Sequence, residues 1–327
     1  MNEARTASAF ESYEGQGPAA LYAFLEQFPK GADLHVHLSG AVYAETLIRD
    51  ADEDGVCVDS VKLAFAQPPC VNNLVPARKF AGNIDAKIQL LYDKLIDALS
   101  MRSFVPYDGW SGHDQFFAVF DRVDALKNHT GEWVDEVAAR AAGQNQQYLE
   151  LMVTPPFSHA AKIGDSIGWN AELEGGNSAA FARFRQQLLD AGLSDEVPAD
   201  RDEVREAEAR RRQLEHCGTL QATAACSVQT RYIYQVLRGF PPEQVFAQTL
   251  LGFEAAATDP RIVGINYVQP EDDHTAMANY ALQMRQIGYL HSIYPKLHIS
   301  LHAGEIAPGM VPPEGLRFHI RMAVEVA

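Results

Sequence analysis

The sequence is poor in basic side chains and in long apolar runs, and each shortage excludes a class of protein. Its 327 residues include 27 Lys and Arg against 43 Asp and Glu, which gives a formal net charge of −16. Because binding to a phosphate backbone needs a basic surface, we exclude a nucleic-acid partner. No apolar run is long enough to cross a bilayer, and residues 1–17 lack a signal-peptide pattern. We therefore expect no membrane partner and a cytoplasmic location.

Cysteine is also scarce. The sequence has four, Cys57, Cys70, Cys217 and Cys226, and none of them forms a C-x-x-C pair. This scattered spacing indicates neither a zinc ribbon nor a disulfide framework. It is typical of a protein in a reducing compartment.

Strand-like and helical segments alternate along the chain. Strand patterns are centred on His35, Leu151, Ala224, Ile265 and Leu301, and a helical segment follows each of them. Such alternation predicts a parallel sheet, as either a doubly wound open sheet or a β/α barrel. The first strand is not followed by the G-x-G-x-x-G turn of a dinucleotide-binding sheet, and polar residues follow the strand ends, so we favour the barrel.

The length suits one domain, because α/β barrels commonly reach this size with insertions. We assign residues 1–327 to a single barrel domain. Within it, residues 1–28 form an N-terminal arm and helix, with residues 1–17 as a loose arm. Residues 158–202 are rich in Gly and Ala and form an insertion.

The first predicted strand carries a pair of histidines in the stretch ADLHVHLSGA. With a period of two, His35, His37 and Ser39 lie on one face, and Leu34 lies on the apolar opposite face. Two imidazoles that point the same way can bind one metal ion. The alternative is that both histidines are structural, with ordinary hydrogen bonds on a half-buried strand.

A second histidine motif favours the metal site. In the stretch HISLHAGE, His302 ends the inward face of the last predicted strand. The turn at Ala303 and Gly304 can bring Glu305 back over the mouth of the barrel. A third imidazole and a carboxylate from a separate strand end complete the set that a catalytic zinc ion needs.

Five segments, in order, resemble the adenosine deaminase branch of the amidohydrolase superfamily, including its growth-factor-like members. They are PKGADLHVHLSGA, HDQFFAVFDRV, YLELMVTP, RIVGINYV and ISLHAGE. His-x-His-Leu followed by His-Ala-Gly-Glu is the specific part of the match.

The resemblance implies an α/β fold of the TIM-type (β/α)8 barrel kind found in metal-dependent hydrolases, with one Zn²⁺. It implies hydrolysis of a small-molecule purine nucleoside, in which adenosine and water give inosine and ammonia. His35, His37 and His302 would then be zinc ligands. Glu305 would donate a proton to the ring nitrogen beside the attacked carbon.

The sequence departs from the family at three places. Ser39 stands where the family has an Asp that contacts the ribose, and Gln269 stands where a Gly approaches the purine. We expect both residues to bind substrate with an altered preference. The chain also stops before the family's next strand, so we expect about five of eight barrel units and a fragment of a longer enzyme.

Two other functions stay open on the sequence. One is another amidohydrolase that acts on a different amino-heterocycle or an amide. The other is an inactive, truncated binding module that holds a nucleoside or a partner chain. The sequence does not indicate which oligomeric state the protein adopts.

Overall fold

The computed structural model describes residues 2–82 and 85–327, and its elements are named here in chain order. The strands are β1 (Gly31–His37), β2 (Cys57–Asp59), β3 (Ala64–Ala66), β4 (Leu74–Pro76), β5 (Gln146–Val153), β6 (Gln229–Leu237), β7 (Ile262–Val268) and β8 (His298–Ile299). The α-helices are α1 (Asn2–Gly15), α2 (Pro18–Glu26), α3 (Leu38–Ala41), α4 (Ala44–Asp54), α5 (Ala86–Ala98), α6 (Gly112–Val123), α7 (Thr130–Gly143), α8 (Ser158–Ile167), α9 (Ala171–Glu174), α10 (Ser178–Asp190), α11 (Val197–Leu214), α12 (Pro242–Thr258), α13 (His274–Ile293) and α14 (His319–Glu325). Within the described residues, no helix is both long and apolar enough to span a bilayer.

The main sheet has the order β1-β5-β6-β7-β8, and every neighbouring pair in it is parallel. The sheet curls into a half-barrel, so side chains from the carboxyl ends of its two edge strands meet. Nε2 of His35, on β1, lies only 2.9 Å from Nε2 of His302, just beyond β8. This curl agrees with the predicted barrel and not with an open sheet. The count of five units out of eight stays a prediction.

The third predicted strand, centred on Ala224, is wrong; the prediction covered the residues from Leu220 to Gln229. Most of that stretch is a loop with a 3-10 turn at Ala224–Ser227, and β6 begins only at Gln229. A disulfide between Cys217 and Cys226 folds the loop back on itself. The strand β6 is mostly buried along its length, as expected for an inner strand of a parallel sheet covered on both faces.

The main core lies between this sheet and the helices that cover it. Helix α12 packs on β6 and β7, and most of its residues are buried. A methyl group at Gly252 would lie 2.8 Å from the ring of Tyr234, so glycine allows the helix to approach β6 this closely.

A second, smaller core lies in the excursion between β1 and β5. Strands β3, β2 and β4 form an antiparallel sheet there, beside α4 and α5. Its buried members include Leu47, Phe65 and Leu95. The alternation of strands and helices did not predict this sheet, because its strands have only three residues each.

The prediction of no disulfides is also wrong. Cys57 pairs with Cys70, and Cys217 pairs with Cys226, each with a Cα–Cα distance of 5.5 Å. Both pairs form because the chain folds back on itself between the two cysteines, which linear spacing does not reveal. Disulfides persist mainly in oxidising compartments, so the cysteines no longer support a cytoplasmic location.

The predicted loose arm is helical. None of the residues of α1 is buried, and the helix contacts α2 through Tyr13, which stacks on Phe24 with ring centroids 4.9 Å apart. Residues 158–202 are also largely helical, and they contribute Phe181 and Phe184 to the main core. The division into arm, barrel and insertion stays a prediction, and Met1 lies outside the described residues.

Candidate active site

Three histidines converge where the two edge strands end. His35 and His37 lie at the end of β1, and His302 lies three residues beyond β8. Nε2 of His302 is 2.9 Å from Nε2 of His35 and 2.9 Å from Nε2 of His37. All three donor atoms lie within 4.8 Å of one another. The structure therefore brings together the three residues that were predicted to be metal ligands.

The backbone of β1 is less regular than its sequence pattern. Asp33 pairs with Leu149 and Val36 pairs with Leu151, so three steps along β1 match two steps along β5. This β-bulge breaks the alternation of faces. Leu34, predicted on the apolar face, is 55% exposed.

In two of these rings, Nδ1 lies within hydrogen-bond distance of a protein oxygen. Nδ1 of His37 lies 2.6 Å from Oε1 of Gln235, and Nδ1 of His302 lies 3.0 Å from the backbone oxygen of Tyr267. Gln235 is itself oriented by Thr154, whose Oγ1 accepts a hydrogen bond from Nε2 at 2.9 Å. Because both acceptors are oxygens, Nδ1 of each ring must carry the proton, and each neutral ring keeps a lone pair at Nε2.

This donor set fits a transition-metal ion. Two lone pairs 2.9 Å apart repel each other unless a proton or a cation lies between them. Burial lowers the pKa of His37 to about 4, although the Gln235 hydrogen bond opposes the shift, so this ring holds no extra proton at neutral pH. Three imidazole nitrogens with oriented rings suit zinc, and also other ions that prefer imidazole.

Glu305 lies beside the three histidines. Gly304 precedes it with a φ of +92°, a backbone conformation that favours glycine, and the turn leaves Glu305 exposed. Burial and the neighbouring His302 lower the pKa of His35, while the charge of Glu305 opposes that shift. The negative charge of Glu305 therefore acts on the ring of His35, and its role as a proton donor stays a prediction.

The two predicted substrate-binding residues lie differently from expected. Strand β1 ends at His37, and Ser39 is half-buried in the one-turn helix α3, so its predicted place on the strand face is wrong. Gln269 has a φ of +83°, in a region that glycine adopts freely. Its Oε1 accepts a hydrogen bond from the backbone N–H of Gly239 at 2.7 Å. The substrate contacts of both residues stay predictions.

An aromatic wall adjoins the histidines. Phe116, Phe117 and Phe120 pack together on α6. A methyl group at Gly40 would lie 3.3 Å from the ring of Phe120 and 3.8 Å from Cβ of His37, which places that ring next to the site.

Two further residues at the site were missed by the sequence analysis. Gln235 was missed because the third strand was placed too early in the chain. Glu271, just beyond β7, accepts hydrogen bonds from the backbone N–H groups of Gly304 and Glu305. The signal for Gln235 was a polar residue inside the largely apolar run YIYQVL, and the signal for Glu271 was the acidic stretch that follows IVGINYV.

Another group of possible ligands, Asp50, Glu53 and His129, lies in the excursion. Asp50 accepts a hydrogen bond from Nε1 of Trp133 at 2.8 Å, and Nε2 of His129 lies 3.1 Å from the carboxylate of Asp54. These protein partners account for the cluster without an ion.

No protein-family model and no curated protein matches the sequence. Among solved structures, Arabidopsis ADAL complexed with IMP is similar with a TM-score of 0.51 and 16% identity; the match covers 91% of this chain and 64% of that one. Arabidopsis N6-mAMP deaminase MAPDA has a TM-score of 0.48 at 17% identity, with 92% and 65% covered. Adenine deaminase from Arthrobacter aurescens has a TM-score of 0.47 at 15% identity, with 91% and 62% covered. The likeness to ADAL shows a shared fold, and this chain spans less than two thirds of the ADAL chain.

Proposed function

We propose that this chain carries the metal site of a hydrolase that removes the exocyclic amino group of a purine. Adenosine or a related purine nucleoside is the proposed substrate, and adenosine plus water would give inosine plus ammonia. The observation that carries this proposal is the convergence of three imidazole nitrogens at the carboxyl ends of parallel strands. Catalytic groups of β/α barrels lie at that end.

Each residue of the site has a proposed role. His35, His37 and His302 would hold a zinc ion, which when bound lowers the pKa of water and so supplies a nucleophile at neutral pH. Glu305, exposed on its turn, would deliver a proton to the ring nitrogen next to the carbon that loses the amine. Phe120 would pack against the apolar face of the purine.

The residues proposed to contact the substrate do not single out adenosine. Ser39 offers a neutral hydroxyl, and the side chain of Gln269 is already bonded to Gly239. We therefore keep a different amino-heterocycle as the second candidate substrate. Because the ADAL structure contains IMP, a purine nucleoside monophosphate also belongs among the substrates to be tested.

The test measures zinc content and ammonia release on the same sample of this chain. The substrates are adenosine, deoxyadenosine, adenine, AMP and N6-methyl-AMP. We expect about one zinc per chain and ammonia release from at least one of these compounds. Glu305→Gln should keep its zinc and lose about 100-fold or more in turnover, the lower part of the range for a general acid or base. Glu314→Gln, which changes another exposed carboxylate in the segment after β8, is the matched control.

The outcomes separate the candidate functions. Zinc without ammonia release from any compound would reject the deaminase and leave a metal-containing binding module. Turnover of adenine but not of adenosine would move the proposal to the second candidate substrate, and turnover of only AMP or N6-methyl-AMP would make a purine nucleoside monophosphate the substrate. A zinc-free protein after loading with zinc would reject the metal site itself.

A further inference from the structure

Beneath the turn that carries Glu305 lies a buried carboxylate with two backbone partners. Glu271 is 2% exposed. Its Oε1 accepts a hydrogen bond from the N–H of Gly304 at 2.9 Å, and its Oε2 accepts one from the N–H of Glu305 at 2.7 Å. One side chain on the loop after β7 thus holds two successive amides of the turn that follows β8.

Glu271 is in turn oriented by a histidine from α14. Nδ1 of His319 lies 2.6 Å from Oε1 of Glu271, and His319 is 2% exposed. The imidazole stacks on Tyr280 with ring centroids 3.7 Å apart, and the Tyr280 hydroxyl donates a hydrogen bond to the backbone oxygen of His319. The ring therefore has little freedom to move away from the carboxylate.

The charge of Glu271 suits this role. Burial raises the pKa of its carboxyl group, but the hydrogen bonds from His319 and from the two backbone amides outweigh burial and bring the pKa below the ordinary value. The carboxylate is therefore ionised at neutral pH and accepts from all three donors. Charge-assisted hydrogen bonds of this kind are about twice as strong as neutral ones.

The other end of the turn is held separately. Nη2 of Arg238, a fully buried side chain, donates to the backbone oxygen of His302 at 3.2 Å. Gly304 lies between His302 and Glu305, and its backbone has more conformational freedom than that of any other residue type. Without Glu271, two adjacent amides would lose their partner just where Glu305 must be aimed.

We propose that Glu271 is a positioning residue that fixes the turn from His302 to Glu305, with His319 as its support. The catalytic consequence rests on the proposed function, since it assumes that Glu305 acts on a substrate. The structural part of the proposal is independent of that function, because it concerns only the mobility of two backbone amides.

The test is amide hydrogen exchange in Glu271→Gln, read at Gly304 and Glu305. A glutamine offers one oxygen where the carboxylate offers two, so at least one of the two amide bonds is lost. We expect exchange at these amides to rise about 10- to 100-fold, the equivalent of one hydrogen bond to a charged group, while amides in β6 and β7 stay unchanged. Glu314→Gln should leave all of them unchanged.

A second variant and a kinetic measurement complete the test. His319→Phe keeps an aromatic ring against Tyr280 but removes the donor to Glu271, so exchange should rise at the same two amides by a smaller factor. With an active substrate, Glu271→Gln should lower kcat about 100-fold with little change in KM, as expected for a displaced catalytic group.

Unchanged exchange at Gly304 and Glu305 in a folded Glu271→Gln protein would overturn the proposal. A uniform rise across β6 and β7 in both variants would overturn it as well, because it would give Glu271 a general structural role. If the unaltered protein releases no ammonia, the proposed function fails, yet the exchange data still decide whether Glu271 holds the turn.

Discussion

If the three histidines bind zinc as proposed, replacing Gln235 by leucine should weaken that binding by about 10- to 100-fold, the usual effect of removing a residue that orients a metal-binding histidine. Gln235 is 8% exposed, and its Oε1 lies 2.6 Å from Nδ1 of His37. Leucine has a similar volume but no acceptor. The His37 ring would therefore lose the hydrogen bond that fixes its tautomer, and its Nδ1–H group would be left without a partner.

Two independent estimates of the free-energy cost of Gln235→Leu agree. A 10- to 100-fold loss of affinity corresponds to about 1.4–2.7 kcal/mol. Leaving a buried donor without its acceptor costs about 1–3 kcal/mol. The loss appears only when the ring must present its Nε2 lone pair, so it should fall on metal affinity more than on the free energy of unfolding of the metal-free protein.

The assay is a competition for zinc between the protein and a chromophoric chelator. Thr154→Val is the matched control, because it removes only the hydrogen bond from the Gln235 amide, so its loss should stay below about 10-fold. Gln235→Glu supplies a charged acceptor and should bind zinc at least as tightly as the unaltered protein. If Gln235→Leu stays within about 2-fold of the unaltered affinity, Gln235 does not orient a ligand in the way that such partners do.

Three further predictions concern stability. Replacing Cys57 and Cys70 together by serine should lower the free energy of unfolding by about 3 kcal/mol, because the disulfide closes a short loop in the unfolded chain. Urea midpoints measure this change. If both thiols are instead free in protein taken from its native compartment, a cytoplasmic location is supported. The pKa of His37 is about 4 in the folded protein against 6.5 ordinarily, so the unfolded chain takes up the proton first as the pH falls. The metal-free protein should therefore lose stability between pH 6.5 and pH 4, and the His37→Gln variant should lose less stability over the same range. Gln269→Gly should be about 1 kcal/mol more stable than Gln269→Ala, because both lose the bond to Gly239 but only alanine keeps a side chain at a φ of +83°; equal urea midpoints would show that this backbone is not strained.

The features of the site that could be predicted from the sequence are those that depend on residues close together in the chain. The period of two around His35 and His37 predicts that both rings point the same way, and β1 places them so despite its bulge. The glycine after His302 predicts a turn, and Gly304 has the positive φ that this turn needs. Strand β7 coincides with the apolar run IVGINYV. Each of these features depends on neighbours in the chain, whose geometry the sequence specifies directly.

Tertiary structure decided the rest. The curl of the sheet, which no single strand encodes, brings His302 to His35 across five strands. The roles of Gln235 and Glu271 depend on which strand lies next to which, because an amide or a carboxylate becomes a partner only when a donor from a distant segment is packed against it. The two disulfides follow the same rule, since a Cα–Cα distance of 5.5 Å is a property of the folded loops. By itself the sequence determined the types of the candidate ligands, their order and the local backbone, whereas the packing of the sheet determined which of these residues meet.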